Sequence, residues 1–322
     1  MLKYYIIAIS IRGVMTLVYT VTLNPALDMF LRPGRFEPGG VCRYSSPEFI
    51  PGGKGINVSL MLKSLGIDTT AAGISAGFTG RELAALLERE GCRTDFVELK
   101  DGLTRVNVKI LPGSQPETAL NGGGPDMALS DLEPLAKNIS ELSQGDFLVL
   151  AGSVPGALPD NVYAKLMDSA PAGVKIVVDT SGPALTEAVR RGPFLIKPNL
   201  EELGEVFGVE IREAGGAIEY GRKLQAMGAR NVAVTLGGGG ALLLTEEGRA
   251  VEREAIPGEE ISSVGAGDSF VAGFIYGLIL EGDLTGALGW AMSAGAATAF
   301  SVGIAKGEAV KKLHSQHILI EN

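Results

Sequence analysis

Short apolar runs and longer amphipathic stretches alternate along most of this 322-residue chain. The apolar runs are rich in Val, Ile and Leu, which is typical of strands buried on both faces. Candidate strands cover residues 17–23, 69–75, 146–151, 175–179, 193–197, 231–236 and 241–245. Candidate helices cover residues 57–65, 80–90, 130–142, 160–169, 183–191, 200–207 and 214–227. This alternation predicts an α/β fold with a mainly parallel central sheet, flanked by helices on both faces and connected by right-handed crossovers.

Three segments depart from this alternation. Residues 30–50 are rich in Pro, Gly and Arg, and residues 104–121 alternate polar and apolar positions on either side of Pro112-Gly113. Without helices between their strands, these two segments predict a small antiparallel β lid beside the main sheet. Residues 265–300 have a helical pattern that is dense in Ala and Gly, so we expect these helices to pack closely.

The pattern predicts one domain over residues 15–312. Residues 1–14 precede the first strand pattern and are expected to be an extension outside the fold, and residues 313–322 a C-terminal tail. The apolar run near the N-terminus is too short to span a bilayer and lacks a small-x-small cleavage pattern. Because the sequence shows no transmembrane segment, we expect a cytoplasmic location and no membrane partner.

The composition narrows the classes of function. Hydrophobic residues make up 46% of the chain and charged residues 20%, which is ordinary for a globular enzyme. The net charge of −9 argues against a nucleic-acid partner but allows a phosphorylated small molecule. Cys42 and Cys92 suggest neither a disulfide framework nor a metal site, and His314 and His317 are too few for a His-based triad or a zinc site.

The run VGAGDS, residues 264–269, opens one of the helical patterns. Its small residues leave backbone N–H groups uncovered at a helix start, where anions are attracted. Asp268 follows at once and would meet whatever those amides hold. An anion cradle beside a fixed base suits the transfer of a phosphoryl group to a hydroxyl. The alternative is that Asp268 only caps the helix.

A second glycine-rich helix start lies in PGGKGIN, residues 51–57. Gly53 would let a ligand approach the backbone, while Lys54 and Asn57 would supply a charge and hydrogen bonds. The run does not match the G-x-x-x-x-G-K-[ST] phosphate loop, and the alternative is a glycine turn with an exposed lysine. Asp28 follows a strand pattern and its turn, where it could accept hydrogen bonds from sugar hydroxyls, or could form a simple Asx turn.

Two further strand patterns lead into candidate binding residues, and the predicted lid contains another. Lys197, Asn199 and Glu202 come after one strand, and the Asn-x-x-Glu spacing places two oxygen ligands near one helix end. Such ligands suit magnesium, often through its waters, whereas the alternative is an Asn cap with a first-turn Glu. The TLGGGG turn at residues 235–240 can admit a nucleotide or simply connect two strands. Arg105 in the predicted lid could clamp a substrate phosphate, or could be a surface arginine.

Together these motifs resemble the PfkB (ribokinase-like) family of sugar kinases over residues 15–310. The resemblance depends on GGKGINV and SVGAGDSFVAGF, joined by TLNPALD, KPNLEEL, VTLGGGGALL and AGSVP. Within the family, TLNPALD, GFTG, TRVNVK and ETALN are most similar to 1-phosphofructokinases and tagatose-6-phosphate kinases. The resemblance implies a ribokinase-like fold and an ATP-dependent kinase with ATP and Mg²⁺ as cofactors. Its implied substrate is a ketohexose phosphate, with fructose 1-phosphate the first expectation.

The resemblance also implies a role for each matching residue. Asp268 would be the catalytic base, beside an anion hole formed by the amides of Gly265, Ala266 and Gly267. The sugar would be held by Asp28, Gly53, Lys54 and Asn57, and its phosphate by Arg105, Lys54 and Ser153. Magnesium would be associated, through water, with Asn199 and Glu202. The ATP site would be formed by Lys197, Asn199, Glu202, Thr235, Gly237 and Gly240.

Several alternatives stay open. Tagatose 6-phosphate and fructose 6-phosphate each present a hydroxyl and a phosphate at opposite ends of a similar chain, so either could be the acceptor. A non-catalytic sugar-phosphate sensor would use the same fold but would not need a base such as Asp268. A dinucleotide oxidoreductase is disfavoured, because G-x-G-x-x-G is absent from the first strand-to-helix turn. An exposed edge of the lid could also pair with a second copy, which would give a homodimer.

Overall fold

The computed structural model describes residues 16–113 and 115–321. Its strands are β1 (Val18–Thr22), β2 (Ala26–Leu31), β3 (Glu48–Gly52), β4 (Thr69–Ala76), β5 (Arg93–Leu99), β6 (Arg105–Ile110), β7 (Thr118–Asn121), β8 (Phe147–Ala151), β9 (Lys175–Asp179), β10 (Leu195–Ile196), β11 (Asn231–Thr235), β12 (Ala241–Leu244) and β13 (Ala250–Arg253). Its helices are α1 (Lys54–Leu65), α2 (Gly77–Arg89), α3 (Glu133–Ser140), α4 (Val162–Asp168), α5 (Gly182–Val189), α6 (Leu200–Phe207), α7 (Ala214–Met227), α8 (Ala266–Glu281), α9 (Leu284–Ala299) and α10 (Gly307–Glu321). The predicted strands and helices of the main pattern are all present, with ends that differ by a few residues.

Nine strands form the main sheet in the order β13-β12-β11-β10-β9-β8-β1-β4-β5. Its neighbours pair in parallel from β10–β11 to β4–β5, while β12 and β13 extend it antiparallel at one edge. The predicted mainly parallel sheet is therefore confirmed. The sequence patterns missed β5 and β13 because these edge strands carry polar, partly exposed residues and lack the continuous apolar run of a central strand.

Both faces of the main sheet are covered by helices. Along β1, Tyr19 and Val21 belong to the hydrophobic core on one face and Val18 to the core on the other, as the period of two in a strand requires. Helices α8 and α9 pack on the second core so closely that a Cβ on Gly273 would lie 2.5 Å from the carbonyl oxygen of Trp290. The close packing expected from the Ala- and Gly-rich pattern is thus confirmed.

A second sheet of four strands, the lid, has the order β3-β2-β6-β7. The pairs β2–β3 and β6–β7 are antiparallel, and β6–β7 is the predicted hairpin. The predicted small antiparallel lid is therefore present, although its central pair, β2–β6, is parallel. The reason is topological, because β1 and β5 run parallel in the main sheet and the chain enters the lid from the carboxyl end of each.

The two ends of the chain compare differently with the prediction. Residues 1–15 are outside the described part, and the predicted extension over residues 1–14 falls there. At the other end, the segment predicted as a tail from residue 313 is the second half of α10. His314 in this half is buried, and its ring stacks on Trp290 with 3.6 Å between the ring centroids. Within residues 16–113 and 115–321, the helices lack the combination of length and apolar character needed to cross a bilayer.

Candidate active site

The start of α8 presents uncovered backbone amides. Gly265 precedes the helix with φ 80°, a left-handed conformation that favours glycine. Ala266, Gly267 and Asp268 form the first turn, and no side chain in the described part of the protein caps this end of the helix. The alternative reading of Asp268 as a simple cap is therefore wrong. The Ala266 N–H donates to the carbonyl oxygen of Ser263 at 3.2 Å. The N–H groups of Gly267 and Asp268 have no acceptor within the helix, so they are available to an anion.

Asp268 is buried, with only 6% of its surface exposed. Its Oδ2 accepts a hydrogen bond of 2.7 Å from Asn57 Nδ2. The pKa of the Asp268 carboxyl is raised to about 6, because burial and then the negative charge of Asp179 outweigh the opposite effects of Asn57, Lys54 and Lys197. The carboxyl is thus ionised near neutral pH and still basic enough to take up a proton.

A cavity of about 300 Å³, here called the first cavity, lies beside Asp268. Its lining consists of Thr22, Asn24, Asp28, Gly53, Lys54, Asn57, Arg105, Gly152, Ser153, Val264, Gly265 and Asp268. The six residues that the sequence assigned to substrate binding are all in this lining. Residues separated by more than 200 positions in the chain therefore meet in one cleft.

One wall of the first cavity is the start of α1. Gly53 precedes this helix with φ 130°, which only glycine adopts readily. A Cβ on Gly55 would lie 2.6 Å from Thr22 Oγ1, so glycine is also what allows the helix to approach the end of β1. Lys54 is not the exposed lysine of the alternative reading, because its Nζ lies 3.0 Å from Asp179 Oδ1.

The lid forms another wall of the first cavity. Asp28 lies within β2, opposite Asn107 of β6, and its Oδ1 accepts a hydrogen bond of 2.8 Å from Asn107 Nδ2. Lys109 Nζ is 3.9 Å from Asp28 Oδ2. Because Asp28 is a strand residue, the Asx-turn alternative is wrong.

Arg105, also on β6, is half-buried in the wall of this cavity. Its Nε donates a hydrogen bond of 3.1 Å to the carbonyl oxygen of Asn24. Burial lowers the pKa of the Arg105 guanidinium, and the charge of Asp28 acts against that effect. Within the described residues, its two terminal nitrogens form no hydrogen bond or ion pair, so they can bind an anion. The surface-arginine alternative is therefore wrong.

Asp179, which sequence reasoning missed, lies at the centre of the buried charges. It ends β9, is 1% exposed, and its Oδ1 lies 3.0 Å from Lys54 Nζ and 3.3 Å from Lys197 Nζ. Its Oδ2 is buried and has no hydrogen-bond partner in the described part of the chain. Burial acts to lower the pKa of Lys54, but the charges of Asp179 and Glu202 outweigh it and hold the pKa above its ordinary value. The available signal was an Asp at the carboxyl end of a buried parallel strand, where open α/β sheets bind ligands.

Asn199 and Glu202 form a reciprocal cap at the start of α6. Asn199 Oδ1 accepts from the Glu202 backbone N–H at 2.7 Å, and Glu202 Oε2 accepts from the Asn199 N–H at 2.9 Å. The capping alternative is therefore confirmed, and the magnesium role stays a prediction. Glu202 Oε1 also lies 3.5 Å from Lys54 Nζ, which joins this cap to the charges around Asp179.

A second cavity, of about 460 Å³, is lined in part by Asn199, Thr235, Gly237 and Gly240, four of the residues predicted to bind the nucleotide. Its other lining residues are Gly238, Ala255, Ile256, Pro257, Gly258, Glu260, Ala266, Gly267, Phe270, Met292, Gly295, Ala296, Ala299 and Phe300. Gly240 has φ 98°, and a Cβ there would lie 2.0 Å from the carbonyl oxygen of Arg253, so the turn requires glycine.

Two predicted nucleotide-site residues, Lys197 and Glu202, are outside the lining of the second cavity. Lys197 is 4% exposed, and its Nζ lies 3.3 Å from the position that a Cβ on Gly267 would occupy. Its positive charge is therefore beside the first turn of α8, although the residue does not face the open cavity.

The first turn of α8 joins the two cavities. Gly265 and Asp268 line the first cavity, and Ala266 and Gly267 line the second. Molecules held in the two cavities would thus meet at the amides and the carboxylate of one helical turn. This arrangement can bring an acceptor hydroxyl, a base and an anionic donor group together.

The geometry agrees with comparisons to known proteins. The family model described as pfkB family carbohydrate kinase matches residues 23–309. A 1-phosphofructokinase of Bacillus subtilis is 42% identical over 299 residues, which are 92% of this chain and 97% of that protein. A D-tagatose-1-phosphate kinase of Bacillus licheniformis is 35% identical over 290 residues, or 89% of this chain and 94% of that protein.

Solved structures of similar proteins have the same fold. The phosphofructokinase-2 of Escherichia coli in complex with fructose-6-phosphate aligns with a TM-score of 0.86 at 29% identity, covering 94% of this chain and 99% of that one. The predicted ribokinase-like α/β fold and the resemblance seen in the motifs are confirmed. From its matching family model and its relatives, the chain belongs to the pfkB family of carbohydrate kinases.

Proposed function

We propose that this protein transfers the γ-phosphoryl group of ATP to the 6-hydroxyl of fructose 1-phosphate, releasing ADP and fructose 1,6-bisphosphate. The proposal rests above all on Asp268, whose helical turn is shared by both cavities. A sugar phosphate in the first cavity and ATP in the second would place hydroxyl and γ-phosphate side by side.

In the proposed reaction, Asp268 accepts the proton of the 6-hydroxyl as that oxygen attacks the γ-phosphorus in line. The bond between the γ-phosphorus and the bridging oxygen of ADP breaks at the same time. The amides of Gly265, Ala266 and Gly267 stabilise the charge on the phosphoryl group during transfer. Such electrostatic stabilisation is the main contribution to catalysis of phosphoryl transfer. The buried cation of Lys197 beside Gly267 adds to that stabilisation.

The first cavity orients the acceptor in this proposal. Asp28, Gly53 and Lys54 bind the sugar hydroxyls, and the two terminal nitrogens of Arg105 bind the phosphate already on the sugar. Ser153, in the same lining, adds a hydroxyl group to the phosphate contacts. Closure of the lid over the sugar would exclude water and so limit the hydrolysis of ATP.

Magnesium enters such reactions with ATP, where it neutralises charge on the phosphates. Proteins usually hold it through one or two carboxylates, with phosphates and waters completing the shell. The described residues contain no cluster of three or more His, Cys, Asp or Glu side chains suited to a metal. Asn199 and Glu202 fit such a loose site through water, and the buried, unpartnered Oδ2 of Asp179 is a third oxygen that would gain from a cation.

The names of the relatives support fructose 1-phosphate as the substrate that we propose. The two described above are named for sugars that carry the phosphate at carbon 1, whereas the E. coli structure is a complex with fructose-6-phosphate. Fructose 1-phosphate is therefore the substrate that we propose, and tagatose 6-phosphate and fructose 6-phosphate are the alternatives. Because ATP is the phosphoryl donor, we place the reaction in the cytoplasm.

We also propose that the lid mediates a homodimer. The lid region exposes large apolar side chains, including Phe49 at 40%, Leu120 at 59% and Val41 at 86% of their surface. A second copy packed on this face would bury them. Light scattering would give a dimer mass for the native protein and a monomer mass for Leu120→Arg. A monomeric native protein would contradict the dimer without affecting the proposed activity.

A coupled ADP-release assay tests the function. We expect kcat/KM to be highest for fructose 1-phosphate in a panel with tagatose 6-phosphate and fructose 6-phosphate. Asp268→Asn should reduce kcat by about three orders of magnitude or more, with a much smaller change in sugar affinity. Turnover near wild type in this variant would reject the base. Sugar-phosphate binding without ADP release in the native protein would instead support the sensor.

A further inference from the structure

Asn57 contacts the proposed base rather than only the sugar site. Its Nδ2 donates to Asp268 Oδ2 at 2.7 Å, which joins the second turn of α1 to the first turn of α8. A Cβ on Gly265 would lie 3.8 Å from the same nitrogen, so the Asn57 amide also lies next to the anion-binding turn. The contact joins positions 211 residues apart in the chain.

This contact distinguishes the two oxygens of the Asp268 carboxylate. Oδ2 is occupied by Asn57, while Oδ1 accepts no side-chain hydrogen bond from the described residues. We propose that Asn57 is a positioning residue, which holds Asp268 so that Oδ1 receives the proton of the acceptor hydroxyl. The inference deepens the proposed function and rests on Asp268 being the base.

The packing of α1 makes Asn57 suited to this role. Gly55 fixes the helix against the end of β1, where a Cβ would lie 2.6 Å from Thr22 Oγ1 and 3.0 Å from the carbonyl oxygen of Val21. Lys54, three positions before Asn57, is on the same side of the helix and is held by Asp179. The start of α1 lines the first cavity and also orients the base, so it links acceptor binding to the chemical step.

The electrostatics agree with this geometry. The groups facing Asp268 are the carboxylate of Asp179, the ammonium groups of Lys54 and Lys197, and the amide of Asn57. Burial and Asp179 raise the pKa of the Asp268 carboxyl, and the Asn57 hydrogen bond is the first of the contributions that lower it. Asn57 therefore helps keep the base ionised as well as oriented.

Two variants of Asn57 test the inference. Asn57→Asp keeps the shape but replaces the donor by an oxygen, and Asn57→Ala removes the side chain. A hydrogen bond to a charged group corresponds to about one to two pKa units. We expect the acid limb of the kcat profile to shift to higher pH by about one to two units in Asn57→Ala. In Asn57→Asp the shift should be larger, because two adjacent carboxyls share a proton. At pH 7 kcat should fall about tenfold and partly recover at pH 9, while KM for the sugar phosphate changes less than about threefold.

The matched control is Asn161→Ala. Asn161 is exposed at the start of α4, and its side chain makes no capping hydrogen bond, so the pH profile should stay as in the wild type. If Asn57 were only a sugar ligand, KM would rise at every pH and the acid limb would not move. That result, or an unchanged profile in Asn57→Asp, would overturn the inference.

A measurement without turnover separates this inference from the proposed function. In protein labelled with ¹³C at the Asp carboxyl carbons, the Asp268 signal is identified by its loss in Asp268→Asn. We expect its titration midpoint to rise by about one to two pH units in Asn57→Ala. An unchanged midpoint would contradict the contact. If the native protein phosphorylated none of the sugar phosphates, the proposed function would fail, and this titration would still decide whether Asn57 controls the carboxyl.

Discussion

Asp268→Asn should make the protein more stable at the pH where it removes activity. The native carboxyl is buried, and its pKa is raised from 3.8 to about 6, chiefly by burial. Above pH 6 the folded protein must therefore keep a charge that its interior disfavours. The isosteric amide removes that charge and still accepts the hydrogen bond from Asn57 Nδ2.

The size of the effect follows from the two pKa values. At about 1.4 kcal/mol per pKa unit, the difference between 3.8 and about 6 corresponds to about 3 kcal/mol of unfolding free energy. Below pH 3.8 both states are protonated, and this destabilising contribution is absent. Between the two values the folded state retains a proton that the unfolded chain has released, so stability falls as the pH rises. Above pH 6 the full contribution is present.

Thermal unfolding at two pH values measures this contribution. For 322 residues the unfolding entropy is about 0.7 kcal/mol per kelvin, so the variant should melt about 4 °C above the wild type at pH 8. At pH 4.5 the same calculation gives only about 1 kcal/mol, and the difference in Tm should shrink accordingly. Asp101→Asn, at an exposed loop position, is the matched control and should change Tm little at either pH.

The reasoning would be refuted if Asp268→Asn were no more stable than the wild type at pH 8. A gain in Tm that was equal at pH 8 and pH 4.5 would also refute it, because an effect independent of pH cannot come from this titration. Activity measured on the same samples then shows whether turnover is lost while the fold is retained.

Three further predictions concern other residues of the site. Asp179→Asn removes the charge that raises the pKa of Asp268, so the acid limb of the kcat profile should move to lower pH; a limb that moves up would contradict this. Arg105→Ala should raise KM for the sugar phosphate by about 10- to 100-fold and leave KM for ATP within about twofold; equal losses for both would argue against a phosphate clamp. Gly240→Ala should lower the free energy of unfolding by about 2 kcal/mol or more and weaken ATP binding, measured by urea unfolding and calorimetry, because its Cβ meets the Arg253 carbonyl oxygen. Unchanged unfolding would show that this turn relaxes easily.

The main sheet could be predicted because its central strands carry continuous apolar runs. β8, for example, is buried along its whole length, and a continuous apolar run of only five residues favours a buried strand over a helix. The lid was found as two chain segments, but the parallel pairing of β2 with β6 was missed. Strand direction depends on where the chain leaves the main sheet, and a local pattern of alternating residues does not contain that information.

The site could be predicted where the chemistry shows in a local motif. Asp268 follows a run of small residues, and Lys54 lies in a glycine-rich helix start, so each could be identified from its neighbours in sequence. Asp179 lies in no such motif. Its place in the site depends on contacts with Lys54 and Lys197, which are distant from it along the chain. Asn57 was found, but its partner was not, because a hydrogen bond between α1 and α8 depends on how the helices pack.

The register of the lid has a mechanical consequence. In the parallel ladder between β2 and β6, Ala26 is opposite Arg105 and Asp28 is opposite Asn107. Two of the groups proposed to bind the sugar, Asp28 and Arg105, thus lie on paired strands of the lid, whereas Lys54 and Asp268 belong to helices of the body. A tilt of the lid would move Asp28 and Arg105 together relative to Lys54 and Asp268. The stiffness of the connections between lid and body, residues 23–25, 53, 100–104 and 122–128, would therefore set how often substrate and base come within reach.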